Sequence, residues 1–335
     1  VTATWPIQDG VFQLGDLEVE RGGTIKDARL SWQAHGTLNT ARDNVIVYPC
    51  SYTASHEDLS WLIGPDGVLD PERWFIVIPD MFSNGLSSSA ATDADFPSVV
   101  TMADNVRAQH RLLTEHFEVS RVAAAYGFSM GAGQSYHWAA LYPELVERAI
   151  IVCGSARTSL HNRVFLSGLL RILEAAPEHT GDGQFSAEPV AALKAFAHDY
   201  AGWGLSQDFY RERLFETALG YPDLDSFLRA DWEDSFGANR AANLYAQAIT
   251  WQEADIASGG DLAAALSAIQ ARVLLMPSTT DLYFRVADNA AELEHLRFGE
   301  LAPIESIWGH RAGAPRSIPA DLEFLTTRVR AWLDS

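Results

Sequence analysis

Cysteine is scarce in this chain: Cys50 and Cys153 are the only two in 335 residues, and they lie in separate apolar stretches. Two such thiols offer neither a disulfide framework nor the paired spacing of a structural metal site, so both read as buried. Positive charge is scarce too, with 24 Lys and Arg against 44 Asp and Glu, a net charge of −20. A field of that sign repels polyanions unless a local basic patch overrides it, which argues against nucleic acid as a partner. No run reaches the roughly 18 apolar residues of a membrane span, and VTATWPIQDG at the start has no basic segment leading into an apolar one. These absences make a cytoplasmic protein without a membrane partner the expectation. Internal repeats, low-complexity tracts, metal-ligand clusters and phosphate-cradling glycine loops are also missing, so no cofactor is expected.

What is present is ordinary for a globular chain: 47% hydrophobic and 20% charged residues, with 24 Gly and 14 Pro. At roughly 150 residues per domain the length suits two domains or one large α/β domain. Short runs apolar on both faces recur as NVIVYPC (44–50), WFIVIPD (74–80), RVAAAYG (121–127), AIIVCGS (149–155), RVLLMPS (272–278) and IESIWG (304–309). Such runs suit buried parallel strands. Helical spacing appears between them at 101–116, 130–142, 287–296 and 321–333. The alternation predicts an α/β fold with a doubly wound, mostly parallel sheet.

The alternation breaks once, between Ser155 and Ala271, where Leu, Phe, Trp and Tyr sit among helix formers. That stretch is too long for a loop. It reads as a mainly helical lid insertion over 156–270, with PEHTGDGQ (177–184) as an exposed turn, inserted into a core domain made of 1–155 and 271–335. An insertion at the carboxyl ends of parallel strands covers the place where such sheets bind ligands.

The strongest chemical signal is Gly127-Phe128-Ser129-Met130-Gly131, directly after one expected strand and before the helical GAGQSYHWAALYP. A sharp strand-to-helix turn needs small residues on both sides of the serine, because the flanking backbones come close together. G-x-S-x-G also arises by chance in glycine-rich loops, but the order of strand, motif and helix singles this one out. Ser129 is the candidate nucleophile, and a serine needs a base and a group that orients the base. His310, in the turn-rich SIWGHRAGAP, is the histidine in the right order and place. Asp281, after the strand RVLLMPS, is the favoured acid, with Asp288 in the next helical pattern as a rival. His35 on an early strand and His295 in a helical pattern read as packing or surface residues. His56 and His137 are the two that can also line a pocket.

Acyl chemistry needs N–H donors for the oxyanion. Met130 supplies one from its backbone, and the second is assigned to Ser51 or Tyr52 in the loop after NVIVYP, the choice between them left open. The Tyr52 side chain has a packing role as an alternative.

At these residues the chain resembles the homoserine O-acetyltransferase-like branch of the α/β-hydrolase superfamily. The resemblance covers nearly the whole chain and rests on TMADNVRAQHRLL, GFSMGAGQSYHWAALYPELVERAIIVCGSART, FGANRAANLYAQAITWQEAD, Asp281 and His310. It implies an α/β-hydrolase fold, a Ser129, His310, Asp281 triad, a helical lid and a homodimer. True homoserine acetyltransferases show a second glycine after the motif, and an Asn and Arg in the first lid helix that hold the amino-acid acceptor. Here Ala132 takes the first place, while Leu166 and Leu170 fall at the other two, and Arg311-Ala312-Gly313 replaces the usual residues after the histidine. These departures resemble the branch that hydrolyses short-chain acetyl esters. Arg163 and Arg171 remain the nearby cations for an acceptor.

The expectation is therefore a carboxylic ester hydrolase for a small-molecule, short-chain, acetyl-type ester, with Leu166, Leu170 and His137 lining the pocket. An acyl-CoA-dependent homoserine O-acyltransferase using the same acyl-enzyme is the alternative. A catalytically silent α/β-hydrolase fold acting as a binding protein is a third reading, opposed by the filled triad positions.

Overall fold

The computed structural model describes residues 4–335. The chain opens with a long antiparallel hairpin, β1 (Ile7–Glu18) and β2 (Thr24–His35). It then alternates through β3 (Val45–Val47), α1 (His56–Leu59), β4 (Phe75–Pro79), α2 (Met102–Arg111), β5 (Val122–Phe128), α3 (Met130–Leu141) and β6 (Arg148–Val152). The insertion follows: α4 (Leu160–Glu174), the small hairpin of β7 (His179–Gly181) and β8 (Gln184–Phe185), and α5 (Val190–Gly204). Short helical turns between 207 and 237 lead to α6 (Ala241–Gln252) and α7 (Leu262–Ala268). The chain re-enters the sheet at β9 (Arg272–Met276) and ends with α8 (Val286–Leu293), β10 (Gly299–Leu301) and α9 (Pro319–Asp334).

The sheet has eight strands in the order β1-β2-β4-β3-β5-β6-β9-β10, parallel from β4 to β10 and antiparallel at the β1–β2 and β2–β4 pairs. Side chains alternate between its faces as the pleat requires. Ile46, Ile76, Tyr126, Ile150 and Leu274 join one buried cluster together with the insertion. Val47, Val77, Ala125, Ile151 and Leu275 join the other, against α2 and α3. In α4 the buried residues Asn162, Phe165, Leu166, Leu169, Leu170 and Leu173 form one helical stripe. Ser159 starts that helix by accepting the Asn162 N–H. No helix among the described residues is long and apolar enough to cross a membrane.

Three local expectations need correction. IESIWG is not a strand: β10 lies just upstream, and Ile304 makes only an isolated bridge to Ser278 before the chain turns. The true strand was hidden because an edge strand can keep Glu300 half-buried and needs no apolar run. PEHTGDGQ is a hairpin rather than a plain turn, with Asp182 and Gly183 both at positive φ, the conformation that an Asp-Gly pair supplies. His295 sits just past the end of α8 rather than within it. The β1–β2 hairpin carried no apolar run either, since most of β1 faces solvent.

Candidate active site

Backbone hydrogen bonds level the carboxyl ends of the central strands. Phe128 pairs with Val152 and Val152 with Met276, while the Ser129 N–H reaches the Val152 carbonyl at 3.0 Å and the Cys153 N–H the Met276 carbonyl at 3.1 Å. The first residue past β5 thus lies level with the loop past β9. At that edge Ser129 has φ 57° and ψ −124°, in the left-handed half of the map where a residue with a side chain is strained by about 1–3 kcal/mol. The flanking glycines are what make the turn possible. A Cβ on Gly127 would stand 2.1 Å from the Gly131 carbonyl oxygen, and one on Gly131 would stand 2.4 Å from that of Pro49.

Ser129 is joined to two residues from distant parts of the chain. His310 Nε2 lies 2.8 Å from the Ser129 hydroxyl, and His310 Nδ1 lies 2.6 Å from Asp281 Oδ2. The other Asp281 oxygen accepts the backbone N–H of Tyr283 at 2.7 Å and of Phe284 at 3.3 Å, which fixes the carboxylate plane. All three residues are buried. Aromatic rings hold the imidazole: Phe128 stacks on it at 4.6 Å, Tyr283 meets it edge-on at 5.0 Å and Phe284 lies at 5.5 Å. Gly313 lets the following turn close, because a Cβ there would meet the Phe128 ring at 2.6 Å and Cys153 Sγ at 2.7 Å. Asp288, the rival acid, lies in the first turn of α8, and His310 bonds Asp281 instead.

Met130 opens α3, so its N–H is among the first four that lack an intrahelical acceptor. The loop holding Ser51 and Tyr52 is pressed against this end of α3. Ser51 Oγ donates to the Phe128 carbonyl at 2.6 Å, and Gln134 Nε2 donates to the Cys50 carbonyl at 2.9 Å. Gln134 is in turn held by Gln109, and Gln109 by the Trp138 N–H. The Tyr52 ring stacks on Tyr200 and its hydroxyl donates to the Leu244 carbonyl, so this side chain ties the loop to α6.

The insertion reaches the imidazole through aromatic contacts. Phe165 of α4 lies 4.9 Å from the Tyr283 ring, and Tyr200 of α5 lies 5.8 Å from it. Leu166 and Leu170 are buried in the same cluster. Arg163 turns to Glu253, with N and O 3.6 Å apart, and Arg171 pairs with Glu174 at 2.5 Å, so neither cation is committed to Ser129. His137 does not join the triad. Eight residues along α3 place it about 12 Å from Ser129, where its Nδ1–H donates to the Gly133 carbonyl at 2.7 Å and burial lowers its pKa. It lines a separate polar cavity with Glu20, Arg157 and Glu253 instead.

Sequence reasoning missed the partner of Arg311, which pairs with Asp231 of the insertion and lies over the Trp232 ring at 5.3 Å. Nothing in local spacing links residues 80 positions apart. It also missed the Gln109–Gln134 link, although two glutamines in expected helices were a visible signal.

Cys153, Asp281 and His310 bring three ligand-type atoms within 4.8 Å of one another. The 2.6 Å separation of His310 and Asp281 suits a shared proton, whereas two ligands on one zinc ion stand about 3.3 Å apart. Burial, with Asp281 beside it, pushes the Cys153 thiol well up, away from the thiolate that a metal takes. The donor set thus fits a triad better than a metal centre.

A family model described as alpha/beta hydrolase fold matches residues 59–306. A probable esterase of Corynebacterium glutamicum is 37% identical over 311 residues, covering 89% of this chain and 88% of that protein. An ethyl acetate hydrolase of Pseudomonas veronii is 34% identical over 310 residues, covering 90% and 88%. The crystal structure of an acetylester hydrolase from Corynebacterium glutamicum superposes with a TM-score of 0.92 at 33% identity, covering 98% of this chain and 96% of that one. A homoserine O-acetyltransferase of Methanococcoides burtonii stands further off, 27% identical over 338 residues with 89% and 68% covered.

Proposed function

Because this chain belongs to the α/β-hydrolase fold family and lies nearer its esterases than its homoserine acyltransferases, we propose that it is a serine carboxylic ester hydrolase acting on short-chain, chiefly acetyl, esters. The observation that carries this is the hydrogen-bonded line from Ser129 through His310 to Asp281 at a strained strand-to-helix turn. In this reading His310 Nε2 takes the Ser129 proton as Oγ attacks the ester carbonyl, and Asp281 holds the tautomer and steadies the imidazolium. The oxyanion is met by the N–H of Met130 and by that of Ser51 or Tyr52. The imidazolium then protonates the leaving alcohol, and a water activated by the same nitrogen releases the acid from the acyl-enzyme.

The acyl group and the acceptor are read from the walls. Phe128, Tyr283 and Phe284 crowd the imidazole, which favours a small acyl group. An amino-acid acceptor has to be held by its charges to outcompete water, and a buried charge without a partner costs several kcal/mol. Leu166 and Leu170 offer no partner, and Arg163 and Arg171 are paired elsewhere. Water is therefore the acceptor. The same reading treats 156–270 as a lid on a core of 1–155 and 271–335, takes the homodimer from the family resemblance, and keeps the cytoplasmic location as the expectation for a chain in which no membrane span is read.

The test is to give the purified protein p-nitrophenyl acetate, and separately acetyl-CoA with homoserine, and to follow both products. Acetate release should dominate. Faster formation of O-acetylhomoserine would transfer the acyl-enzyme to the alternative acceptor while keeping the triad. Mass spectrometry after a serine-directed phosphonate should place the label on Ser129, and a label elsewhere would remove the nucleophile assignment.

A further inference from the structure

A second buried imidazole–carboxylate pair lies at the loop after β3. His56 Nδ1 is 2.6 Å from Asp80 Oδ2, the separation found between His310 and Asp281. Among the described residues no hydroxyl or thiol is hydrogen-bonded to the His56 Nε2, so this pair does not serve a second nucleophile. The nearby Cys50 thiol points at Asp80, and burial pushes its pKa well up.

The connections of Asp80 show what the pair does instead. Its carboxylate is wholly buried at the end of β4, and its hydrogen-bond partners come from short stretches of chain without a Lys or Arg among them. Oδ1 accepts the His56 backbone N–H at 2.9 Å, the Asn84 amide at 2.9 Å and the Cys50 thiol at 3.4 Å. Asn84 also donates to the Ala54 carbonyl at 3.3 Å. One carboxylate thus ties both ends of the 50–56 loop, and through Asn84 a point between them. Ser51 and Tyr52 lie inside that span. Apolar packing would cover the loop at lower electrostatic cost, whereas charge-assisted hydrogen bonds fix distances. The bond to Asp80 raises the His56 pKa against the opposing effect of burial, and Asp9 and Glu57 act in the same direction. His35 is the other titratable neighbour, its pKa lowered to about 4 by burial first and then by His56.

We infer that His56 and Asp80 are positioning residues for the oxyanion hole, clamping the 50–56 loop so that the N–H of Ser51 or Tyr52 meets the charge developing on the substrate carbonyl. This rests on the reading of that loop as the second oxyanion donor. A contact made only in the transition state shows in kcat rather than in KM.

The experiment measures kcat and KM for p-nitrophenyl acetate and the inhibition constant of a methyl trifluoromethyl ketone, whose serine adduct carries an oxyanion. His56→Ala should lower kcat about 10- to 100-fold, leave KM within about threefold and weaken the ketone by the same factor as kcat. His56→Asn, whose amide N–H can take the place of Nδ1–H, should recover most of that loss, and Asp80→Asn should resemble His56→Ala. If Asp80→Asn fails to fold, the two His56 variants decide. A folded His56→Ala with kcat unchanged, or with reduced kcat but an unaltered ketone constant, overturns the clamp. Ser51→Pro and Tyr52→Pro, each removing one backbone N–H, separate the two readings. If one lowers kcat while His56→Ala does not, only the clamp fails; if neither does, the loop is not the donor and both fail.

Discussion

Arg311, next to His310, forms an ion pair with Asp231 of the insertion, and its guanidinium lies against the Trp232 ring. The turn that carries the imidazole is thereby tied to the helical region above it. The side chains are 31% and 21% exposed, between a surface bridge and a buried one, so removing one partner should cost about 1–3 kcal/mol. Urea unfolding of Arg311→Met, Asp231→Asn and the double variant should show a combined loss smaller than the sum of the two. Strict additivity would mean that the pair contributes nothing as a pair.

Asp281→Asn should cost on the order of 10⁴ in kcat, because an amide in place of the carboxylate selects the wrong imidazole tautomer. Asp288→Asn should stay near the parent activity. The reverse pattern in steady-state assays would move the acid to α8.

Gly313→Ala should destabilise the protein by about 1–3 kcal/mol, the usual range for overpacking. The added methyl meets the Phe128 ring and Cys153 Sγ inside contact distance, and Phe128 stacks on His310, so activity should fall as well. Thermal melts with activity at 25 °C check both effects, and an unchanged melting temperature would show that the turn gives way freely.

Glu292 accepts the Ala156 N–H at 2.8 Å and bonds to Tyr136 and Asn289 at the root of the insertion, and burial raises its pKa from 4.5 to about 7. The folded state therefore binds its proton more tightly than the unfolded chain. The resulting stabilisation is fully present below about pH 4.5 and is lost as pH rises through about 7, a span worth about 3 kcal/mol. Between pH 5 and pH 8 the parent should lose stability that Glu292→Gln keeps. Parallel pH slopes for the two proteins in chemical denaturation would contradict this.

If Leu166 walls the acyl pocket as proposed, Leu166→Ala should raise the kcat/KM ratio of p-nitrophenyl butyrate to acetate by admitting a longer acyl chain. Loss of a fully buried leucine costs about 2–5 kcal/mol, so the ratio is read only on protein that melts cooperatively. An unchanged ratio would mean that Leu166 only packs the insertion against the sheet.

Much of this was legible because local chemistry announces local structure. The runs around Val77, Ala124, Ile150 and Leu274 are apolar on both faces, and a parallel sheet buries both faces. Gly127 and Gly131 had to flank Ser129 because backbone approaches within 2.5 Å of a would-be Cβ exclude every other residue. The order of Ser129, Asp281 and His310 followed from where such strands end. Tertiary structure decided what depends on separation along the chain. The 181 positions that separate Ser129 from His310 are closed to 2.8 Å only by the register of neighbouring strands and the aromatic rings around the imidazole. His56 read from the sequence as a loop histidine able to line a pocket until β4 brought Asp80 to it, and Arg311 looked like a departure until the insertion supplied Asp231. The sequence by itself determined which residues can do chemistry and on which kind of element each sits, because those follow from side-chain type and short-range periodicity. Which carboxylate each of these charged side chains meets was decided by the packing of strands and insertion, because an ion pair depends on ångströms in space and no pattern along the chain encodes them.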